Sequence, residues 1–223
     1  MARQTAISIN TIPIGPLGII GMPGCEELTD KIDKYLVKWR KTQASEHAES
    51  IAFFGYQRDT YKIDVSIPRF GSGEGKGVIN ESVRGYDIYI VCDVFNYSCS
   101  YDMYGRKVYM SPDDHFADLK RVISALCSKP KRVSVIMPML YEGRQHKRSS
   151  RESLDCAMAL KELVHLGVEN IITFDAHDQR VQNAIPDKSF ENVMPTYQMI
   201  KALVNNVEDL NVDKDHLMII SPD

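Results

Sequence analysis

The chain has 223 residues and a formal net charge of -3, with 27 lysine and arginine residues against 30 aspartate and glutamate residues. That length accommodates one large domain, or one domain and the start of another. The slightly acidic balance excludes a global basic field for nucleic acid, so any anion must be bound by a local cluster. The five cysteines form no Cys-x-x-Cys pair, which disfavours a zinc module or a disulfide framework and indicates reduced thiols in the cytoplasm.

The first half of the chain contains several strand patterns and one helix pattern. A short strand is predicted at Leu17–Met22, and the spacing i, i+4, i+7, i+8 of apolar residues predicts an amphipathic helix over Glu26–Trp39. Tyr61–Ile67 alternates as a half-buried strand does, whereas the nearly continuous apolar run Asp87–Cys92 is typical of a strand buried on both faces. The tyrosine-rich segment Phe95–Met110 shows no regular pattern. No apolar run reaches the roughly 18 residues of a membrane span, so no membrane partner is expected.

The second half alternates regularly between helix and strand. Helices are predicted over Asp113–Ser128 (capped by Ser111 or Asp113), Arg151–Leu166 and Thr196–Val204, and strands over Arg132–Met137, Asn170–Asp175 and His216–Ile220. Strands that alternate with helices over short connections form a parallel sheet with crossover helices. The sequence therefore predicts an α/β fold, whose ligands bind at the carboxyl ends of the strands.

Acidic and imidazole side chains follow two of these strands. In Asp175-Ala176-His177-Asp178, a strand that stayed extended would point Asp175 and His177 the same way. Asp223 follows the last strand, and neighbouring strand ends lie roughly 5 Å apart. Carboxylate oxygens and water suit Mg²⁺, the usual partner of phosphate chemistry. The alternative is a polar strand-to-loop transition with a hydrogen-bonded histidine.

A basic run follows the strand Arg132–Met137. Gly143–Arg151 contains four arginine or lysine residues and one histidine. Arginine can bind phosphate with two parallel hydrogen bonds and can stack on a base, whereas lysine offers a point charge. A solvated loop is the ordinary alternative, and a nucleic-acid patch is disfavoured by the acidic chain.

Two further segments could hold ligands. Glycines flank a polar residue in Arg69-Phe70-Gly71-Ser72-Gly73-Glu74, which indicates a tight loop with an exposed aromatic ring or simply a hairpin turn. In Glu81-Ser82-Val83-Arg84-Gly85, a hydroxyl and an arginine two residues apart could hold an anion. The fingerprints of P-loop kinases, nicotinamide enzymes and α/β-hydrolases do not occur.

The order of these segments resembles that of ribose-phosphate diphosphokinases (PRPP synthetases) from about Leu17 to Asp223. The matching pieces are Arg69-Phe70 with Gly73-Glu74, Glu81 to Asp87, Arg144-Gln145, Arg151-Glu152, Asp175 with His177, Gln179 with Gln182, and Ser221-Pro222-Asp223. The match is poor across Lys41–Thr60 and Phe95–Met110.

The resemblance implies a type I phosphoribosyltransferase-like fold, an open and mainly parallel sheet with helices on both faces, used twice in the full enzyme. Residues 1–205 would be the first domain and 206–223 the opening strand of a second. The full enzyme would transfer the diphosphoryl group of ATP to ribose 5-phosphate with Mg²⁺, giving phosphoribosyl diphosphate and AMP. The catalytic residues are expected beyond Asp223, so the 223-residue chain alone is expected to be inactive.

The resemblance also assigns roles to individual residues. His177, Asp223 and Asp175 would hold Mg²⁺, and Ser82 and Arg84 would form an allosteric phosphate site. The ATP-binding residues would be Phe70, Ser72, Glu74, Arg144, Gln145 and His146. The loop that carries Phe70, Ser72 and Glu74 would serve a neighbouring subunit, so a homo-oligomer with shared ATP sites is expected.

Three positions depart from the family pattern, namely Ser72, His146 and Asp178. The family has Asp or Asn at Ser72, Asp at His146 and Ala at Asp178. These departures leave two alternatives open. One is a non-catalytic, synthetase-like regulatory subunit that binds nucleotide or phosphate, and the other is a different phosphoribosyltransferase-fold protein.

Overall fold

The computed structural model describes residues 13–42 and 56–208, together with 210, 213, 218 and 220. The strands are β1 (Leu17–Gly21), β2 (Val65–Ser66), β3 (Val78–Ile79), β4 (Asp87–Val91), β5 (Ser100–Met103), β6 (Arg106–Tyr109), β7 (Arg132–Met137), β8 (Asn170–Phe174) and β9 (Ser189–Val193). The helices are α1 (Glu26–Thr42), α2 (Pro112–Ala125), α3 (Asp155–His165) and α4 (Thr196–Asn206), with a 3₁₀ helix at Gln179–Ala184.

Five strands form a parallel sheet in the order β1-β4-β7-β8-β9. Successive side chains of a strand face opposite sides, so Ile20 packs in a large cluster with residues of α2 and α3, whereas Ile19 packs in a smaller cluster with Ile32 and Leu36 of α1. The predicted α/β class, with a mainly parallel sheet and helices on both faces, is confirmed. This arrangement brings the carboxyl ends of β4, β7 and β8 to one edge of the sheet.

Helix α1 is confirmed, but only Ile32 and Leu36 of its predicted apolar stripe pack against the core, and both are only partly buried. Leu28, Tyr35 and Trp39 are 40%, 69% and 41% exposed, whereas Asp33 is only 7% exposed. The Asp33 carboxylate accepts hydrogen bonds from the Tyr61 backbone N–H (2.7 Å) and the Thr60 hydroxyl (2.9 Å). The Asp33 carboxylate therefore holds the extended segment at Thr60 and Tyr61 by hydrogen bonds. The spacing of apolar residues in the sequence does not reveal such a polar contact.

The predicted strand Tyr61–Ile67 is wrong as one continuous element. Tyr61 and Ile63 are buried, as the alternation predicts, and they bracket Ile19 of β1 through hydrogen bonds of 2.7 and 2.8 Å. Beyond them the chain leaves β1, and Val65–Ser66 pairs with β3 instead. The segment changes partner along its length, so it forms no single ladder.

The unassigned segment Phe95–Met110 contains an antiparallel hairpin. Strands β5 and β6 are joined at Tyr104 and Gly105, which have φ angles of 50° and 75°. Two successive positive φ angles are typical of a tight turn between paired strands. A Tyr-Gly turn lacks the usual Asn-Gly signal, which explains why the sequence did not predict it.

The regular second half follows the sequence prediction closely. Ser111, one of the two residues predicted to cap α2, is confirmed as its N-cap. Helix α3 begins at Asp155 rather than Arg151, because the Glu152 carboxylate accepts hydrogen bonds from the Ser149 and Ser150 backbones and closes a turn there. Strand β9 was not predicted.

Two expectations concern the remainder of the chain. The predicted strand His216–Ile220 lies outside the described residues except for Met218 and Ile220. Within the described part of the chain, no helix is both long and apolar enough to cross a membrane.

Candidate functional site

A cavity of about 430 Å³ lies at the carboxyl ends of the central strands. Its walls come from three segments, each of which follows a strand: Phe95 and Tyr97 after β4, Met139 to Arg144 after β7, and Phe174 to His177 after β8. Pro112, at the start of α2, completes the wall. Parallel strands bring their carboxyl ends together, so the cavity occupies the position at which such sheets bind ligands.

The cavity brings together three of the predicted site residues, Arg144, Asp175 and His177. Strand β8 ends at Phe174, and Asp175 has a left-handed φ of 48°. The premise that the strand stays extended to His177 is therefore wrong. The end of β9 fixes this turn, since the Asp175 N–H donates to Val193 O (3.1 Å) and the Ala176 N–H to the Asn192 side chain (2.9 Å).

The lining residues that could donate to a metal ion are two carboxylates, Glu142 and Asp175, and one imidazole, His177. The structure records no hydrogen bond or ion pair of the Asp175 carboxylate with any described residue, and His177 is exposed. No group of three or more histidine, cysteine, aspartate or glutamate residues is arranged for a metal within the residues described here. The third predicted ligand, Asp223, lies outside them.

Two of the residues expected to depart from the family pattern, His146 and Asp178, contact each other beside the cavity. His146 Nε2 lies 3.3 Å from Asp178 Oδ2, and its Nδ1 lies 3.1 Å from the Arg144 carbonyl oxygen. The imidazole also lies beside His177, with 5.2 Å between ring centroids. Hydrogen bonds from Arg180 hold the pKa of the Asp178 carboxyl well below its usual range, and His146 adds to the effect. The pair joins the basic loop to the end of β8.

Arg144 is the one basic residue of the run Gly143–Arg151 that lines this cavity. Gln145 has a different position, because its side-chain amide donates to Ser153 O (2.8 Å) and its backbone carbonyl accepts from the Cys156 N–H (3.3 Å). It thereby ties the loop to the start of α3. Lys147, Arg148 and Arg151 are exposed.

The Phe70–Glu74 loop does not line this cavity. Its Ser72 hydroxyl donates to the Glu74 carboxylate (2.8 Å), the Phe70 N–H donates to Glu74 O (2.9 Å), and the Phe70 ring is 58% exposed. Gly73 has a φ of 91°, which glycine adopts without strain. The loop is thus internally organised and presents an aromatic ring to the outside.

Ser82 and Arg84 lie apart from the cavity, on either side of buried Val83. Both side chains are exposed, and the neighbouring Gly85 N–H donates to Lys129 O (3.0 Å).

Several residues that sequence reasoning missed line or support the cavity. Tyr141 stacks on Phe116 with 4.3 Å between ring centroids, and its hydroxyl donates to Asp113 (2.6 Å). Burial, together with this hydrogen bond, raises the pKa of Tyr141 above its ordinary value. A tyrosine three residues after Pro138, beyond a buried strand, was the available signal, since residues that follow such strands line ligand sites.

The structure is that of an open parallel α/β domain with a cavity at the carboxyl edge of its sheet. A family model described as the N-terminal domain of ribose phosphate pyrophosphokinase matches residues 17–167. The chain therefore belongs to the ribose phosphate pyrophosphokinase family, and the predicted resemblance is confirmed.

Individual relatives agree with this assignment. A ribose-phosphate pyrophosphokinase from Vibrio parahaemolyticus is 25% identical over 163 residues, which cover 72% of this chain and 45% of the relative. Ribose-phosphate pyrophosphokinase 1 from Schizosaccharomyces pombe is 26% identical over 165 residues, covering 73% and 37%. The chain thus spans less than half the length of these relatives.

A solved structure is also similar. The crystal structure of phosphoribosylpyrophosphate synthetase from Mycobacterium smegmatis superimposes with a TM-score of 0.62 at 18% identity, covering 86% of this chain and 52% of that one. At this level of identity the likeness concerns the fold.

Proposed function

We propose that the full natural protein transfers the diphosphoryl group of ATP to O1 of ribose 5-phosphate and releases AMP. The observation that supports this most directly is the convergence of Arg144, Asp175 and His177 on one cavity at the carboxyl edge of the sheet. Phosphoryl transfer depends mainly on positioning and on neutralisation of charge, so a cation for phosphate beside donors for a metal suits it.

Arg144 is the residue proposed to bind ATP directly, through a phosphate and the face of the adenine. Gln145 and His146 hold the loop in place, the first through Ser153 and the second through Asp178. In a neighbouring subunit of a homo-oligomer, the Phe70–Glu74 loop would complete the adenine pocket. Ser82 and Arg84 would bind an allosteric phosphate, and the protein would act in the cytoplasm.

Mg²⁺ would be held by Asp175 and His177 together with Asp223. The donor set fits the ion in part, because the Asp175 carboxylate is not engaged by any described residue, whereas Mg²⁺ takes oxygen ligands more readily than imidazole. Asp178 is engaged by Arg180 and His146 and is not proposed as a ligand. When bound, Mg²⁺ would neutralise charge on the transferred diphosphoryl group.

The contact between His146 and Asp178 argues against a damaged site. His146 and Asp178, the two expected departures from the family pattern, contact each other at 3.3 Å, and Asp178 is also paired with Arg180, so both side chains have partners. Together they link the loop of Arg144 to the loop of His177. This supports a rearranged but intact nucleotide site.

Phosphorus NMR of the full natural protein with Mg-ATP and ribose 5-phosphate tests the activity. We expect AMP and a diphosphoryl group attached to the C1 oxygen of ribose. If ATP binds but no conversion occurs beside an active control enzyme, the regulatory alternative replaces the proposal.

Arg144→Ala tests the proposed role of the arginine. Loss of a charge-assisted contact to phosphate should reduce kcat/KM for ATP by about 10- to 100-fold. Arg148→Ala is the matched control, because Arg148 belongs to the same basic run but is exposed and does not line the cavity. Equal losses in the two variants would show that only the net charge of the loop matters.

A further inference from the structure

The β5–β6 hairpin occupies the segment in which the chain matches the family poorly. Residues 92–99 connect β4 to the hairpin, and Met110 and Ser111 connect the hairpin to α2. The hairpin is therefore anchored at both ends. At its base, Asn96 donates to Gly24 O (3.0 Å), and the Asn96 carbonyl oxygen lies 2.8 Å from Nε2 of buried His115. The loop that precedes the hairpin is therefore tied both to the turn that follows β1 and to α2.

The hairpin makes two contacts with the Phe70–Glu74 loop and one with Arg69, which precedes the loop. The Tyr104 N–H donates to Gly71 O (2.9 Å). The sulfur of Met103 lies so close to Gly73 that a Cβ there would be 2.9 Å from it. The Tyr101 ring lies under the Arg69 guanidinium, 4.4 Å from ring centroid to carbon.

Arg69 extends these contacts into the core. Its guanidinium donates to Asp118 of α2 (2.5 Å) and to Gly73 O (3.2 Å), so one side chain joins the loop, the hairpin and the helix. The Arg69 and Asp118 side chains are only 11% and 2% exposed. Asp118 also accepts from Arg121 (2.6 Å), which leaves the carboxylate with two cationic partners.

The loop that precedes the hairpin reaches the cavity, because its Tyr97 lines the cavity together with Arg144 and His177. One short segment thus touches both parts of the proposed nucleotide site. The loop has hydrogen bonds of its own, but Gly71 and Gly73 permit many conformations, so contacts from outside the loop restrict the direction of the exposed Phe70 ring further.

We propose that the β5–β6 hairpin positions the Phe70–Glu74 loop. The Tyr101 ring packs against the Arg69 guanidinium and thereby holds Phe70 and Glu74 in place. This inference rests on the proposed function, because the ligand that the loop would receive is the adenine of ATP. Tyr101 is a positioning residue, since it acts through Arg69. A role in binding the base, remote from the transferred group, should alter KM for ATP rather than kcat.

Two measurements on the full natural protein test the proposal. In hydrogen exchange without nucleotide, Tyr101→Ala should accelerate exchange of the Phe70 and Gly73 amides by about threefold or more, as expected for loss of a cation–π contact. In steady-state kinetics, the same variant should raise KM for ATP by a similar factor and leave kcat within about twofold. Tyr101→Phe keeps the ring and should restore both values.

Tyr109→Ala is the matched control, because Tyr109 lies on the same hairpin but is 62% exposed and contacts neither the loop nor Arg69. Unchanged exchange at Phe70 and Gly73 in Tyr101→Ala would overturn the inference, whatever the activity. Equal effects of Tyr109→Ala and Tyr101→Ala would also overturn it, since they would indicate general loosening of the hairpin. Absence of diphosphokinase activity in the wild-type protein would refute the proposed function, while the exchange data would still decide whether the hairpin holds the loop.

Discussion

Burial controls the reactivity of the cysteine thiols. Cys25 and Cys156 are 2% and 1% exposed, and burial raises the pKa of each thiol to about 11. Cys127, by contrast, is exposed at the end of α2. Since the thiolate is the reactive form, burial protects Cys25 and Cys156 both by excluding the reagent and by lowering their thiolate fraction, whereas Cys127 is open to solvent.

Iodoacetamide at pH 8 should therefore label native protein first at Cys127 and leave Cys25 and Cys156 unmodified. A rise in pKa from about 9 to about 11 lowers the thiolate fraction at pH 8 by about 100-fold. Peptide mass spectrometry over a time course checks the order. Cys127→Ser should abolish the fast phase, and unfolding in urea should expose all five thiols; fast native labelling of Cys25 would contradict the described packing.

The residues of the site were predictable where strand position decided them. Arg144, Asp175 and His177 meet because each follows a parallel strand, which the hydrophobic pattern reveals. The contact of His146 with Asp178 was not predictable, because it depends on how two irregular loops fold toward each other. The left-handed backbone conformation of Asp175 likewise depends on a hydrogen bond that its N–H donates to β9, a strand that the sequence did not reveal.

At the scale of elements, helix α2 connects the core to the cavity. Its first turn contributes Pro112 to the wall and Asp113 to the Tyr141 hydroxyl. The turn is held by a reciprocal capping box, in which the Ser111 hydroxyl accepts from the Asp114 N–H (3.2 Å) and the Asp114 carboxylate accepts from the Ser111 N–H (2.9 Å).

Ser111→Ala should lower the free energy of unfolding by about 1 kcal/mol, because the Asp114 N–H loses its partner. The shift in the urea midpoint measures the loss. Ser124→Ala, at an exposed position in the last turns of the same helix, should change the free energy of unfolding by no more than a few tenths of a kcal/mol. Similar midpoints for the two variants would mean that the cap does not stabilise α2.

Regular elements were predicted where local periodicity and burial coincide, as in α2, β7 and β8. Prediction failed where pairing is set by distant segments. The extended stretch at Tyr61 is held by Asp33 and β1, and β5–β6 is stabilised partly by its contact with the Phe70–Glu74 loop. Helix α1 shows a different error, since its predicted apolar stripe includes Ile32 and Leu36, which pack against the core, but also Leu28, Tyr35 and Trp39, which are exposed.

At the scale of the whole molecule, two kinds of exposed surface indicate further contacts. Helix α4 buries none of its side chains among the described residues, and its Tyr197, Met199 and Ile200 are 70%, 64% and 52% exposed. Exposed apolar patches of this kind mark interaction surfaces. The Phe70 ring is likewise exposed on an ordered loop that does not reach the cavity of its own chain.

Mixing two impaired variants of the full natural protein tests whether the Phe70–Glu74 loop completes the site of a neighbouring subunit. One variant carries Phe70→Ala and Glu74→Ala and the other Arg144→Ala, and at an ATP concentration well below KM each should retain only a small fraction of wild-type activity alone. In an equimolar mixed oligomer, about a quarter of the sites would combine an intact Arg144 with an intact loop from the adjacent subunit. Activity should therefore recover to about a quarter of the wild-type value after subunit exchange.

The matched control mixes Arg144→Ala with His177→Ala. Both residues line the same cavity of one chain, so no arrangement of these subunits restores a complete site and no recovery is expected. If the loop mixture recovers no more than this control while light scattering shows mixed oligomers, the Phe70–Glu74 loop acts within its own chain. The hairpin would then have to bring the loop to its own cavity by a conformational change.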